Sequence, residues 1–178
     1  MMSIRYLSLS LLTLLAACSD APTKAKADPA PAATEKFTLA ADPGAAVSVV
    51  QAKANGAKDM VTVAGRVYDI TKGFALIKLM DLELEYCGQV NKEDNCKTPW
   101  DYCCDSKEER MAKSLLVEAR GADGKPLATP SIAGLRLCDK VKVTGKLIVD
   151  EHGNPVLIAS GWFQVERPEL PDDINWPQ

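Results

Sequence analysis

The sequence predicts an all-β fold, a small five-stranded barrel, and three observations carry that expectation. From Met60 onward, apolar residues recur at every second position, the period of a strand with one buried face. Five such runs are separated by clusters of Gly, Asp and Asn, which mark turns. Glycines such as Gly65 and Gly145 stand inside these runs, and a glycine within a strand often marks the bend or bulge that barrel closure needs.

The elements follow in chain order. Asp42-Pro43-Gly44 and then Ala45 to Ala54 read as a short helix. Asp42 can cap the first free amides, Pro43 fits the first helical position, and Asn55-Gly56 offers a left-handed stop. Val61, Val63, Gly65 and Val67 alternate with Thr62, Ala64, Arg66 and Tyr68 in the first strand. Asp69 to Gly73 turns, and Phe74 to Met80 is a second, more continuously apolar strand. Leu82, Leu84 and Tyr86 alternate with Glu83 and Glu85, extending that strand or adding a short edge. Leu115, Val117 and Ala119 define the third strand, which ends at the Gly121-Ala122-Asp123-Gly124 turn. Val141, Val143, Gly145, Leu147 and Val149 form the fourth. Asp150 to Asn154 is a hairpin loop, and Val156 to Phe163 returns as the fifth strand. The Pro-bearing tail over 167–178 reads as irregular.

Two of these runs resemble a known family. Val61-Thr62-Val63-Ala64-Gly65-Arg66-Val67 is similar to the first strand of OB-fold domains of exported bacterial proteins. Asp139-Lys140-Val141-Lys142-Val143-Thr144-Gly145-Lys146-Leu147, followed by Gly153-Asn154-Pro155-Val156-Leu157-Ile158, shares the likeness. The resemblance runs from Met60 to Val165. It implies an OB-type barrel domain over 60–166, with a cysteine-rich loop between strands two and three; another small β-barrel or sandwich is the alternative.

The N-terminus carries an address. Arg5, the apolar run Leu7 to Leu15, and the small residues Ala16 and Ala17 are the three parts of a secretory signal. The apolar run is shorter than the roughly 20 residues of a spanning helix. Leu15-Ala16-Ala17-Cys18 resembles the lipobox of bacterial lipoproteins, which implies a signal peptide over 1–17 and acylation of Cys18 with palmitate-like chains. Several chains on one residue make anchoring stable. Ser19, rather than Asp, follows Cys18, and by the same resemblance the anchor lies in the outer membrane with the protein facing the periplasm. Residues 18–41 are rich in Ala and Pro and read as a disordered tether. A helix and lead-in fill 42–59. The chain holds 21 Lys and Arg against 24 Asp and Glu, and Arg5 leaves with the signal. That acidic balance argues against nucleic acid as a partner.

Cysteine usage is the sharpest local signal. Cys96-Lys97-Thr98-Pro99-Trp100-Asp101-Tyr102-Cys103-Cys104, preceded by Cys87, resembles the C-x-T-P-W-D-Y-C-C segment of a group of uncharacterised exported lipoproteins with an OB-like pattern. This likeness implies fold and location, and no activity. In an exported chain cysteines are first candidates for disulfides. Neighbours in an extended chain point opposite ways, so Cys103 and Cys104 are expected to pair separately, with Cys96 and with Cys87 or Cys138. The alternative is a thiolate metal site for zinc or copper on Cys87, Cys96, Cys103 and Cys104. No paired C-x-x-C supports a zinc ribbon or a thioredoxin-like centre. Cys138 reads as a buried, inert thiol. His152, the only histidine, falls in a hairpin loop and reads as a solvated turn residue. Trp100 and Tyr102 are candidate ligand contacts, or else they pack the loop onto the barrel. Ser106-Lys107-Glu108-Glu109 has the pattern that opens a short helix.

No phosphate-binding glycine loop, nucleophile elbow or supported triad is present, so no catalytic residues and no resident cofactor are expected, and the chain does not read as an enzyme. Two functions lead, beside a purely structural envelope role that the sequence does not separate from the first. One is a lipid-anchored binding or accessory module that takes a small ligand, a glycan or an envelope protein. The other is a periplasmic thiolate protein for zinc or copper.

Overall fold

The computed structural model describes residues 37–90, 96–128 and 134–169. The signal segment, Cys18 with most of the tether, and the end of the tail lie outside the described residues. The elements are α1 (Val49–Asn55), β1 (Lys58–Ile70), β2 (Leu76–Met80), α2 (Cys87–Val90), α3 (Lys107–Ala112), β3 (Ser114–Ala119), β4 (Lys140–Val149) and β5 (Pro155–Glu166). Among the described residues no helix is long and apolar enough to cross a membrane.

The strands close a barrel in the order β1-β2-β3-β5-β4. β3 and β5 run parallel, and every other neighbouring pair is antiparallel. Five strands closed in this Greek-key order are an OB-type barrel. The alternating residues fill it: Val63, Val67, Ile77, Leu79, Leu115, Val117, Val141, Val143, Leu147 and Leu157 form one buried cluster. Gly145 sits where the β4–β5 register shifts, and a Cβ there would run into the backbone of Ile158. Gly65 permits the close approach of β2, since an added Cβ would lie 3.0 Å from Met80 O and 3.1 Å from Leu79 Cβ.

Four local expectations need correction. The helix begins at Val49, where Ser48 and Gln51 form a reciprocal capping box. Asp42 instead accepts from Gly44 N–H at 2.8 Å and pairs with Lys142 at 2.7 Å. The tether ends earlier than expected, because Phe37 and Leu39 bring large apolar side chains that the preceding Ala, Pro and charged residues lack. Leu39 N–H donates to the Trp162 carbonyl at 2.8 Å and Trp162 N–H to the Phe37 carbonyl at 2.7 Å, so this lead-in lies along β5. β2 starts at Leu76, leaving Phe74 in the preceding turn and 51% exposed. β2 also stops at Met80, because the Asp81 carboxylate accepts from Glu83 N–H at 3.1 Å and bends the chain out of the ladder.

Leu84 and Tyr86 are buried even so. With Met80, Tyr102 and Cys138 they form a second cluster, flanked by Tyr68 and Trp100. This cluster covers the outward face of β1, where alternation predicts solvent; Arg66 is buried there for that reason.

Candidate functional site

The β2–β3 connection is pinned to the barrel as one piece. Cys87 N–H donates to the Asp101 carbonyl at 2.8 Å and Gly88 N–H to the Pro99 carbonyl at 2.7 Å, so the two cysteine-bearing stretches lie side by side. A Cβ on Gly88 would come within 3.1 Å of Pro99 Cβ, so glycine permits that approach. Asp101 Oδ1 accepts from Tyr102 N–H at 2.7 Å, and Arg110 Nη1 donates to the Tyr102 carbonyl at 2.9 Å. Ser106 Oγ accepts from Glu109 N–H at 3.1 Å and opens α3, as its sequence predicts. Lys53 of α1 closes the far end, donating to the carbonyls of Met111, Ala112 and Ser114 at 2.9, 2.7 and 3.1 Å. The Met111 and Ala112 carbonyls lie at the C-terminal end of α3, where intrahelical donors run out, and Ser114 opens β3.

Tyr102 is 1% exposed, with its ring edge-on to Tyr68 at 5.3 Å between centroids. It packs the loop and offers no surface to a ligand. Trp100 is half-buried beside the same cluster, and its carbonyl accepts from the Cys138 thiol at 3.8 Å. Arg66, which alternation assigns to solvent, lies 5.0 Å from the Tyr86 ring centroid and donates from Nη1 to the Cys138 carbonyl at 3.1 Å. His152 is exposed on the β4–β5 hairpin, beside Glu151.

The cysteines take an arrangement that chain spacing does not announce. Cys87 opens α2, and its Sγ lies 3.2 Å from Sγ of Cys103. The sulphurs of Cys87, Cys103 and Cys104 all lie within 4.8 Å of one another. Residues 103–105 turn rather than extend, so the two adjacent side chains share a side instead of diverging. Asp105 N–H closes that turn on the Tyr102 carbonyl at 3.1 Å. Cys96 stands outside the group, its Sγ 3.7 Å from Thr98 Oγ1, and Cys138 is buried behind the loop. The cysteines are free, with no disulfide among the described residues. The expected pairing of Cys96 with Cys103 or Cys104 is therefore absent.

Crowding sets the electrostatics. Hydrogen bonding to the Cys87 thiol, followed by desolvation and the neighbouring sulphurs, pushes Cys103 up to about 12. Cys104 is raised chiefly by its hydrogen bond to Cys87. Burial pushes Cys138 up to about 12. Sulphurs this close resist ionising together, because each thiolate repels the next. A bound cation reverses that balance, since coordination deprotonates a thiol outright. Thiolates bind such an ion at about 2.3 Å, so sulphurs sharing one stand no more than about 4.6 Å apart.

Comparison with protein-family models gives no match, and neither does comparison with curated proteins. Among solved structures, the chain is similar to an aspartyl tRNA synthetase from Entamoeba histolytica, with a TM-score of 0.37 and 14% identity. The match covers 66% of this chain and 20% of that one. This chain thus corresponds to about a fifth of the synthetase's length.

Proposed function

We propose that this chain is an exported, lipid-anchored OB-type module whose β2–β3 loop holds one soft metal ion on Cys87, Cys103 and Cys104. The single observation that carries the reading is the convergence of those three sulphurs within 4.8 Å. Thiolate sets of this kind select zinc or copper(I) over hard cations, because sulphur is a soft donor. Two sulphurs are exposed and the third is buried, so an ion can enter from solvent and still meet a fixed ligand. The barrel holds the loop, and the lipobox-like segment ending at Cys18 supports a site in the periplasm at the outer membrane. Burial of Tyr102 favours this reading over ligand stacking on the loop aromatics.

The test uses the full mature chain in detergent, reduced without oxygen and offered one equivalent of zinc or copper(I). After desalting, about one ion per chain is expected by elemental analysis. Cys87→Ser, Cys103→Ser and Cys104→Ser should each lose most of it, while Cys96→Ser keeps it. A fully reduced chain that retains neither ion overturns the reading, as does loss of the ion in Cys96→Ser.

A further inference from the structure

We infer that the triad is a redox-gated site with Cys87 as its pivot: reduced, the three sulphurs hold the ion, and a Cys87–Cys103 disulfide expels it. The inference rests on the metal reading above and adds its regulation. Cys87 and Cys103 already sit 3.2 Å apart, and a disulfide needs about 2.05 Å. The backbone bonds from Cys87 to Asp101 and from Gly88 to Pro99 fix the two stretches, so closure is a side-chain movement. A bond between Cys103 and Cys104 is disfavoured. Adjacent Cα atoms stand about 3.8 Å apart, below the 4.4–6.8 Å span of ordinary disulfides. Any bridge within the triad therefore runs through Cys87, and Cys87 can serve only one partner.

Exposure sets the order of events. Cys103 is exposed and Cys87 buried. A small disulfide R–S–S–R is attacked by the Cys103 thiolate, which forms a mixed disulfide and releases RS⁻, protonated by water. The Cys87 thiolate then attacks Cys103 Sγ, forms the protein disulfide and releases the second RS⁻, protonated likewise. Two protein thiolates are oxidised, one external disulfide is reduced to two thiols with protons taken from solvent, and the metal leaves with its charge unchanged. Cys104 stays a thiol, a single donor that cannot hold the ion. The disulfide and the metal site foreseen from the sequence are then alternative states of the same sulphurs.

The experiment loads the reduced full chain with zinc and titrates it with oxidised glutathione, following free zinc with a chromophoric chelator and thiols by alkylation and peptide mass mapping. Release of one zinc, loss of two thiols, a Cys87–Cys103 cross-link and an alkylated Cys104 are expected together. Cys104→Ser should form the same cross-link while holding little zinc. Zinc that stays bound once Cys87–Cys103 has formed overturns the gate and leaves the metal reading intact. A cross-link through Cys96 or Cys104 also overturns the gate alone. A reduced chain that takes up no zinc or copper(I) overturns both.

Discussion

The carboxylate of Asp81 accepts the backbone N–H of Val50 at 2.9 Å, so the residue that ends β2 also satisfies a free amide at the start of α1. Asp81 is 1% exposed, and its other oxygen holds Glu83 N–H. One side chain thus seats the helix and turns the chain into the cysteine loop. Asp81→Ala leaves two backbone donors without their partner, at a cost of about 2 kcal/mol. Asp81→Asn keeps one good acceptor and should recover about half of that. Urea unfolding checks both, with the midpoint expected to fall and the slope unchanged.

Gly145 and Gly65 are both strand glycines, yet their surroundings differ. A Cβ on Gly145 meets the Ile158 backbone, whereas one on Gly65 meets Met80 O at 3.0 Å and Leu79 Cβ at 3.1 Å. Strand backbone inside a closed barrel has little room to retreat. Gly145→Ala is therefore expected to cost about 3 kcal/mol and Gly65→Ala about 1 kcal/mol. Equal losses in thermal unfolding would contradict the bulge at Thr144–Gly145 as the cause.

The barrel was legible because each strand buries one face, and period-two patterns such as Val141-Val143-Gly145-Leu147 report that face directly. The same rule misled at Leu82 to Tyr86, where Leu84 and Tyr86 alternate yet serve the second cluster through a turn set by Asp81. Alternation puts Arg66 and Tyr68 on the outer face of β1, and nothing in a strand's own pattern tells that a distant loop covers that face. The sulphur triad was half legible. The right residue types stood in one loop, but their meeting depends on the turn at Cys103–Cys104 and the pairing of Cys87 with Asp101, which no local spacing encodes.

Asp42 supplies a pH-dependent contact between the lead-in and β4. The Lys142 ammonium, hydrogen-bonded to its carboxylate, and then the Gly44 N–H hold Asp42 below its usual value of 3.8. A carboxylate lowered in the folded state stabilises fully above its unfolded pKa, and that contribution is lost as pH falls through the folded one. The urea midpoint of Asp42→Asn should therefore trail the unmodified chain by a constant amount at pH 5–7. The gap should close progressively below about pH 4. A gap that persists in strong acid would show that the contact is not carried by the ionised carboxylate.

Cys18→Ser tests the anchor. Acylation requires the thiol, so this variant should lose the lipid mass and leave the membrane fraction, or accumulate with the signal segment uncut. Fractionation with intact-mass measurement reads both outcomes. Unchanged membrane association with identical processing would remove the address on which the oxidising surroundings of the loop depend.

Tyr102 separates packing from recognition. Its ring fills the second cluster, while its hydroxyl is buried without a hydrogen-bond partner among the described residues. Tyr102→Phe removes only that hydroxyl and is expected to leave stability within about 0.5 kcal/mol, or to raise it. Tyr102→Ala empties the cluster and should cost about 3–5 kcal/mol. Because Tyr102 adjoins Cys103, the Ala variant should also weaken zinc retention, whereas the Phe variant keeps it. Loss of zinc in Tyr102→Phe at full stability would mean that the hydroxyl acts at the site itself, and the ring would no longer be a simple wedge between loop and barrel.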